Sequence, residues 1–445
     1  MKTILVLGAG RSSSSLIKYL LENDAKNNWE VVIADFSKEL AREKAGKNER
    51  AKAIKLDVSN ENQRQKEIQK SHIVISMLPA RMHAVVAKDC VKFKKHMVTA
   101  SYVSDEMKAL DEDAKRAGVI LMNEIGVDPG IDHMSAMKVL DEVREDGGKM
   151  LRFESFTGGL LAPESEKGNP WHYKFTWNPR NVVLAGQGSA VKFVQQGKYK
   201  YIPYHKLFRR TEFIEIEGYG KFEGYANRDS LRYRDVYNLQ DIPTIYRGTL
   251  RRPGFCRAWD IFVQIGVTDD SYVMEGSEDM TCRDFFNSFL GYNPNDSVEL
   301  KLRHYLHIDQ DDPLWEMLIW LGIFSDKKVG LKNATPAQIL QKILEDKWTL
   351  LPEDRDMIVM WHKFVYEVDG KPHDRESSMV VTGDDRTYTA MAKTVGLPVA
   401  IAAKMILNGK ITTPGIQLPI KKEIYQPVLE ELRTYGISFK EDFMN

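Results

Sequence analysis

Short apolar runs alternate with amphipathic segments over the first 130 residues of the chain. Six runs are rich in Val and Ile and are bounded by polar residues: TILVLGA, EVVIADF, AKAIKLDV, HIVISML, HMVTASY and GVILMNE. Segments between them, such as residues 16–21 and 82–93, place apolar residues at helical spacing. Continuous apolar strands that alternate with helices are typical of a parallel sheet covered on both faces. The pattern therefore predicts an α/β protein whose residues 1–130 form a doubly wound, Rossmann-like domain.

The pattern changes near residue 145, where strand-like segments and loops begin. The segments LRFESFTGG, HYKFTW, EFIEIEGYGKFEGY and DMIVMWHKFVYEVDGKPHDRESSMVVT predict a mixed, largely antiparallel sheet, in which Asp369-Gly370 marks a hairpin. Residues 279–347 lack strand patterns, and TAMAKTVGLPVAIAAKMILNG is apolar at helical spacing. We therefore expect a mixed α+β second domain formed by residues 131–278 and 348–388. A small helical insertion at 279–347 interrupts it, and residues 389–418 pack back on the first domain.

Charge is balanced along the chain, which argues against a general attraction to polyanions. The 445 residues include 63 Lys and Arg against 63 Asp and Glu. The segment KYKYIPYHKLFRR, residues 198–210, interleaves Tyr and Lys in a way that suits stacked bases and phosphates. The acidic segment TEFIEIE follows it and favours a half-buried strand instead. We expect no nucleic-acid partner.

Three features of the chain favour a cytoplasmic enzyme or ligand-binding protein. No uninterrupted apolar run approaches the roughly 18 to 20 residues that a membrane span needs. The first residues lead directly into TILVLGAG and lack the apolar core and cleavage site of a signal peptide. Cys90, Cys256 and Cys282 are scattered and lack metal spacing, which is typical of a reducing compartment. We expect no membrane partner and no bound metal.

The first turn, GAGRSSSS, suits a dinucleotide pyrophosphate. Gly8 and Gly10 follow the first strand, and Ser13 stands where the third glycine of G-x-G-x-x-G would fall. A glycine at the second position lets a pyrophosphate approach the backbone, and the following helix offers unpaired N–H groups. The hydroxyls of Ser12 and Ser13 could add donors. The alternative is a tight turn without a ligand.

Residues at three further strand ends are candidates for cofactor contacts. Asp35 ends the second strand, where a carboxylate accepts hydrogen bonds from the adenosine ribose and repels a 2′-phosphate, so it favours NAD over NADP. The alternative is a strand-terminal Asp that serves a turn. Asp57 follows the third strand, where such domains commonly contact the adenine. Leu78 and Pro79 follow the fourth, beside the position of the nicotinamide ribose.

The segments VTASYVS and NEIGVDPGIDH resemble the saccharopine reductase family, the L-glutamate-forming saccharopine dehydrogenases. The similarity covers essentially the whole chain. It continues in order through FTGGLLAPES, NPWHYKFTWNPR, YANRDSLRYRD, YRGTLRRPGF, WLGIFSD, RDMIVMWHKF and AMAKTVGLPVAIAAKMIL. The ordered set of segments is far more specific than any one of them.

The resemblance implies an oxidoreductase that acts on a secondary amine. This family joins L-glutamate and 2-aminoadipate 6-semialdehyde as an imine, which NAD(P)H reduces to saccharopine, and it also runs the reverse reaction. It further implies a homodimer formed through the second domain, which also binds substrate. The cofactor positions carried over to this sequence are Ser12, Asp35, Asp57, Leu78, Pro79, Ala100, Gly126 and Val127. The saccharopine positions carried over are Ser101, Tyr102, Asp128, Arg228, Thr249, Leu250 and Arg251.

Two residues depart from the fungal members of that family. Fungal members use NADP and have no acid at the end of the second strand, so Asp35 puts their cofactor preference in doubt for this chain. Their CGGL segment carries a cysteine where this chain has Thr157, so no thiol role transfers.

The chemistry of saccharopine agrees with the residues at the implied site. Its three carboxylates call for arginine, which binds a carboxylate with two parallel hydrogen bonds, and Arg228 and Arg251 supply it. At the carboxyl edge of the sheet, Asp128 could orient the reacting amine and relay a proton, and Tyr102 is a second proton donor. We expect Asp132 to cap the helix that begins near Ile131.

Three questions stay open at this stage. Glu124 and His133 could either contact the substrate or form a buried structural pair. A related amine-forming reductase such as carboxynorspermidine dehydrogenase is an alternative enzyme, although the two arginines and the segments NRDS and GTLR favour the first reading. A dinucleotide-sensing regulator without turnover is the third possibility. It would bind the cofactor beside a cleft that is empty or poor in acids, whereas the segments SY and GVDPG place Tyr102 and Asp128 there.

Overall fold

A computed structural model describes residues 1–444 and divides the chain into two compact units. Unit 1 comprises Met1–Met150 and the segment that begins at Tyr366, and unit 2 comprises Leu151–Val365. The strands are β1 Lys2–Leu7, β2 Trp29–Asp35, β3 Ala51–Lys55, β4 Ile73–Ser76, β5 His96–Val98, β6 Ile120–Met122, β7 Lys149–Leu161, β8 Val191–Gln195, β9 Lys198–Ile202, β10 Thr211–Ile216, β11 Gly220–Ala226, β12 Thr244–Arg251, β13 Asp356–Val368, β14 Lys371–Thr382, β15 Gly415–Gln417 and β16 Lys440–Met444.

The helices complete the list of regular elements in the described residues. They are α1 Ser14–Glu22, α2 Asp24–Asn27, α3 Lys38–Ala45, α4 Glu61–Lys70, α5 His83–Lys92, α6 Asp105–Lys108, α7 Asp111–Ala117, α8 Ile131–Glu145, α9 Pro179–Val183, α10 Arg232–Val236, α11 Phe255–Ile265, α12 Cys282–Asn287, α13 Val298–Leu306, α14 Leu314–Leu321, α15 Pro336–Trp348, α16 Ala390–Leu407 and α17 Lys422–Arg433. Short 3₁₀ turns, such as Arg11–Ser13 before α1, join some of them.

Unit 1 is built on a seven-stranded parallel sheet in the order β15-β6-β5-β4-β1-β2-β3. The strand order reverses between β1 and β4, and ligands of doubly wound folds bind beside such a switch point, outside the carboxyl ends of the strands. The inner strands are mostly apolar, as expected where helices cover both faces, and all four residues of β4 are buried. The edge strand β3 is less buried and contains two lysines. The predicted α/β doubly wound fold is confirmed. The seventh strand, β15, was not predicted.

Helices from both ends of the chain belong to unit 1. Unit 1 extends to residue 150 rather than the predicted 130 because it includes α8, and it resumes at Tyr366. The predicted segments 131–278 and 348–388 are therefore each divided between the units. Helix α16 packs on α1, as expected for residues 389–418. By length and composition α16 could cross a membrane, but 78% of it is buried in the protein, which is typical of a core helix.

Unit 2 contains a mixed sheet with the strand order β10-β11-β12-β7-β13, and β8 and β9 extend it beside β12. Strand β12 runs parallel to β7, whereas β10, β11 and β12 pair antiparallel. Helices α12 to α15 occupy the stretch in which a helical insertion was predicted at 279–347.

Two predicted strands differ from the structure. The segment HYKFTW forms no strand, and only an isolated bridge joins Phe175 to Thr349. Aromatic and polar residues alternate in this segment because Tyr173 and Phe175 both pack on the Trp348 ring, at centroid distances of 4.9 and 5.3 Å. The basic segment after residue 198 does form a strand, β9, but it is largely exposed rather than half-buried.

The predicted hairpin turn is confirmed. Asp369 and Gly370 lie between β13 and β14 with φ of 50° and 73°. Positive φ at both central residues is what a type I′ turn requires.

Candidate active site

The turn after β1 has the geometry that a pyrophosphate needs. Gly8 has φ of +103°, and a Cβ there would lie 2.8 Å from the Met77 carbonyl oxygen, so only glycine fits. A Cβ on Gly10 would meet nothing within 4 Å, which leaves its backbone open to a ligand. The Ser13 hydroxyl donates to the Gly10 carbonyl at 2.8 Å and so serves the turn itself. The phosphate contacts of Ser12 and Ser13 stay predictions.

Asp35 is anchored beside this turn. Its Oδ2 accepts a hydrogen bond from the Ala9 N–H and its Oδ1 accepts one from the Ser37 N–H, both at 2.8 Å. Each carboxylate oxygen accepts more than one hydrogen bond, so both can still receive a ribose hydroxyl. The carboxylate therefore serves the local turn, as the alternative interpretation held, and it also remains suited to a ribose.

The other predicted cofactor residues lie beyond the carboxyl ends of neighbouring strands. Asp57 follows β3, and hydrogen bonds from the hydroxyl and N–H of Ser59 hold the pKa of its exposed carboxyl below the ordinary value. Leu78 and Pro79 follow β4, and Ala100 follows β5. A parallel sheet brings these strand ends to one edge, so the residues fit an NAD(P) molecule laid along it.

The segments after β5 and β6 approach each other closely. A Cβ on Gly126 would lie 2.9 Å from the Cβ of Ala100, so the approach requires glycine. Val127 is buried beside it, and Asp128 is partly exposed. The Tyr102 hydroxyl donates to Asp128 Oδ1 at 3.2 Å, which unites the two predicted proton-transfer residues.

Glu124 and His133 form a buried pair beneath these segments. Glu124 Oε1 accepts a hydrogen bond from the Val103 N–H, and Glu124 Oε2 lies 2.9 Å from His133 Nε2. The His133 ring is fully buried. The Glu124 N–H also donates to the Ser101 carbonyl at 3.1 Å. The geometry favours the structural pair over substrate contact, and the pair holds both neighbours of Tyr102.

Contrary to expectation, Asp132 is not the N-cap of α8, because the N-cap residue is Gly130 and no side chain caps the helix. Asp132 lies in the first turn instead, where its Oδ1 accepts a hydrogen bond from the Gly130 N–H. A carboxylate at this end of the helix also interacts favourably with the helix dipole.

A second buried histidine contacts Ser101. His83, the first residue of α5, places Nε2 2.7 Å from Ser101 Oγ and Nδ1 2.8 Å from Ser76 Oγ. Burial lowers the pKa of His83 to about 4, so the ring is neutral at pH 7.

In unit 2, β12 carries three predicted substrate residues, of which Thr249 and Arg251 share one face. Leu250 points to the opposite face, as alternation along a strand requires. The buried Arg251 guanidinium lies over the rings of Tyr173, Phe255 and Tyr225 at 4.9, 5.2 and 6.0 Å. It donates to the Leu250 carbonyl at 2.8 Å, and within residues 1–444 its Nε has no partner.

The hydroxyl of Tyr173 also lacks a partner among the described residues, and burial raises the pKa of Tyr173 to about 12. An unpaired guanidinium N–H beside an unpaired buried hydroxyl is the donor set that binds a carboxylate. Arg228 differs, because it is exposed on the turn after β11 with φ of 51°. That turn is held where the Ser230 N–H donates to the Lys192 carbonyl.

Three contributions were not predicted from the sequence: those of Ser76, His83 and Tyr173. A histidine in the first turn of a helix that follows a strand at the carboxyl edge was the available signal for His83. Tyr173 gave none, because its role depends on Arg251 in a distant element. Within residues 1–444, no group of three or more His, Cys, Asp or Glu side chains is arranged to hold a metal.

Comparisons with known proteins agree with this geometry. The family model described as the saccharopine dehydrogenase NADP binding domain matches residues 4–122, and the saccharopine dehydrogenase C-terminal domain matches residues 126–437. Saccharopine dehydrogenase [NADP(+), L-glutamate-forming] of Saccharomyces cerevisiae is 36% identical over 99% of each chain. The alpha-aminoadipic semialdehyde synthase of Rattus norvegicus is 34% identical over 98% of this chain, which spans 47% of that protein.

A solved structure is similar over the same length. The apo saccharopine dehydrogenase (L-Glu forming) from Saccharomyces cerevisiae superposes with a TM-score of 0.91 at 34% identity and covers 100% of both chains. The resemblance seen in the sequence is thereby confirmed, and the chain belongs to the L-glutamate-forming saccharopine dehydrogenase family.

Proposed function

We propose that this chain interconverts saccharopine with L-glutamate and 2-aminoadipate 6-semialdehyde, with NAD(P) as the redox partner. The Tyr102–Asp128 hydrogen bond at the carboxyl edge of a dinucleotide-type sheet is the observation that supports this most. Full-length similarity to proteins named saccharopine dehydrogenase adds independent support.

A bound dinucleotide, which the residues after β1, β2 and β4 would hold, would supply a hydride acceptor for the carbon beside the secondary amine and a hydride donor in the reverse direction. The residues of the chain position the substrate and transfer protons to and from it. The Asp128 carboxylate orients the amine and takes up the proton that the nitrogen loses on oxidation. Water then adds across the imine, with its hydroxyl going to carbon and a proton to nitrogen, to give the carbinolamine. Asp128 returns its proton to the nitrogen as the carbon–nitrogen bond breaks, the hydroxyl loses its proton by way of Tyr102, and L-glutamate leaves with the nitrogen. In the reverse direction Tyr102 donates a proton to that hydroxyl, which leaves as water. Arg251 and Arg228 bind substrate carboxylates.

The test follows nicotinamide absorbance with saccharopine and with carboxynorspermidine, each with NAD and NADP. We expect turnover with saccharopine and none with carboxynorspermidine. Turnover with carboxynorspermidine alone would favour the related reductase. Tight dinucleotide binding without turnover of either amine would favour a regulator. Either result overturns the proposal.

For the cofactor we propose a preference for NAD, in contrast to relatives whose names specify NADP(+). The support is Asp35, whose carboxylate is fixed by two N–H groups beside the glycine turn and would repel a 2′-phosphate. The side chain that follows it, Phe36, is uncharged.

The test compares Asp35→Asn with Asp57→Asn, an exposed acid at the next strand end. We expect Asp35→Asn to lower kcat/KM for NAD roughly 10- to 100-fold, because hydrogen bonds to a charged group contribute about 1.5–3 kcal/mol. The same variant should raise kcat/KM for NADP, and the control should change both alike. A wild-type chain that prefers NADP would contradict the proposal.

We also propose a homodimer in the cytoplasm. The outer strand β10 of unit 2 exposes Phe213, as a strand that pairs with another subunit would. The described cysteines are all buried free thiols, which suits a reducing compartment. Light scattering should give about twice the chain mass of 51.0 kDa. A monomer in solution, or recovery of the native protein outside the cytoplasm, would contradict these two points.

A further inference from the structure

A hydrogen-bonded relay of three side chains crosses the carboxyl ends of two neighbouring parallel strands in unit 1. Ser76 is the last residue of β4, Ser101 follows β5, and the ring of His83 bridges their hydroxyls at 2.8 and 2.7 Å. The two ends of the relay differ in exposure. Ser76 is 1% exposed, whereas Ser101 is partly exposed at the sheet edge where the substrate is proposed to bind.

The neutral ring permits two arrangements of hydrogen atoms. A neutral imidazole donates through one nitrogen and accepts through the other. In the first arrangement the Ser76 hydroxyl donates to Nδ1, and the Nε2–H donates to Ser101 Oγ. In the second, the Ser101 hydroxyl donates to Nε2, and the Nδ1–H donates to Ser76 Oγ.

Burial decides between the two arrangements. Within the described residues, the ring of His83 is the hydrogen-bond partner of the Ser76 hydroxyl, and no second acceptor is present for it. The second arrangement would therefore leave the Ser76 hydrogen buried without an acceptor, which is unfavourable. In the first arrangement the hydroxyl hydrogen of Ser101 is not used within the relay. Ser101 lies at the partly exposed end, so this hydrogen can be donated to water or to a ligand.

We propose that Ser76 and His83 are positioning residues that fix the Nε2–H tautomer and thereby present the Ser101 hydroxyl as a donor to a substrate carboxylate. The inference rests on the proposed function, which places the substrate at Ser101. A carboxylate only accepts hydrogen bonds, so a fixed donor favours it there and disfavours an ammonium group, which only donates. Specificity of this kind arises because the wrong group leaves a polar atom unpaired.

The tautomer is measured first, in the protein without substrate. The chain is labelled with ¹⁵N-histidine, and the ring signals of His83 are assigned from their loss in His83→Gln. We expect the Nε2–H form at neutral pH, in wild type and after saccharopine is added. A ring protonated at Nδ1, or at both nitrogens, would overturn the relay. This arm does not depend on turnover, so it separates failure of the relay from failure of the proposed function.

The second measurement is the split between KM and kcat. Ser76→Ala removes the group that selects the tautomer, and we expect KM for saccharopine to rise about tenfold while kcat and the dinucleotide Kd change less than twofold. Ser76→Thr retains the hydroxyl and should keep KM near wild type. Ser71→Ala is the matched control, because Ser71 is also a 1% exposed serine of unit 1, and its hydroxyl donates one hydrogen bond, to the Ile68 carbonyl. Equal effects of Ser76→Ala and Ser71→Ala on KM would show that Ser76 matters only for stability, and would overturn the proposal.

Discussion

The neutral His83 ring makes the stability of unit 1 depend on pH in a defined way. In an unfolded chain this ring protonates with a pKa near 6.5, whereas burial lowers its pKa to about 4 in the folded chain. Between those pH values the unfolded chain binds a proton that the folded chain does not bind. The contribution of His83 to stability is therefore complete above pH 6.5 and is lost as pH falls toward 4.

The size of this effect follows from the two pKa values. A tenfold change in a proton-binding constant corresponds to about 1.4 kcal/mol, so the fall from 6.5 to about 4 corresponds to about 3 kcal/mol. The variant His83→Gln provides the reference, because its amide can contact both serines and does not titrate. Other histidines, such as His96, titrate in both proteins and cancel in the difference.

Hydrogen exchange of β4 and β5, followed by mass spectrometry, measures the opening free energy of this region at each pH. Wild type and His83→Gln are compared at the same pH, where intrinsic exchange rates are equal. We expect the advantage of wild type to shrink by about 3 kcal/mol between pH 7 and pH 4. A difference that stays constant over this range would refute the assignment of a neutral buried ring.

Three further predictions concern catalysis, binding and packing. Asp128→Ala should lower kcat and flatten one limb of the pH–rate profile, and an unchanged profile would remove Asp128 from proton transfer. Tyr173→Phe should raise KM for saccharopine about threefold to tenfold at unchanged stability, because its buried hydroxyl already lacks a partner in the described chain; an unchanged KM would assign Tyr173 to packing. Arg64→Met should destabilise unit 1 by roughly 3–5 kcal/mol, because it leaves the buried Asp89 without the guanidinium whose Nε lies 2.6 Å away. A urea unfolding midpoint close to that of wild type would contradict this.

The dinucleotide-type sheet was predictable because its strands are buried on both faces. Runs such as HIVISML contain apolar residues in succession, and few other structures produce that pattern. Strand β15 was missed because it has three residues and its pairing with β6 depends on tertiary structure. The segment around Tyr173 was mistaken for a strand because its aromatic residues alternate with polar ones in the sequence, whereas Tyr173 and Phe175 pack on Trp348 without forming a strand.

The candidate site was predictable where position along the chain determines the role. Gly8, Gly10 and Asp35 stand at fixed distances from predicted strand ends, so the sequence alone places them at one sheet edge. The relay of Ser76, His83 and Ser101 joins residues from three elements, and spacing alone does not show that their side chains meet. The same holds for Tyr173 and Arg251, whose partnership exists only in the folded unit.

The products formed from saccharopine test the central claim most directly. Oxidation on the lysine side of the secondary amine gives L-glutamate and 2-aminoadipate 6-semialdehyde, whereas oxidation on the glutamate side gives lysine and 2-oxoglutarate. We predict one mole of L-glutamate for each mole of reduced nicotinamide, measured by mass spectrometry with purified protein, saccharopine and NAD. Lysine and 2-oxoglutarate in its place, or no product from saccharopine with either dinucleotide, would contradict the account.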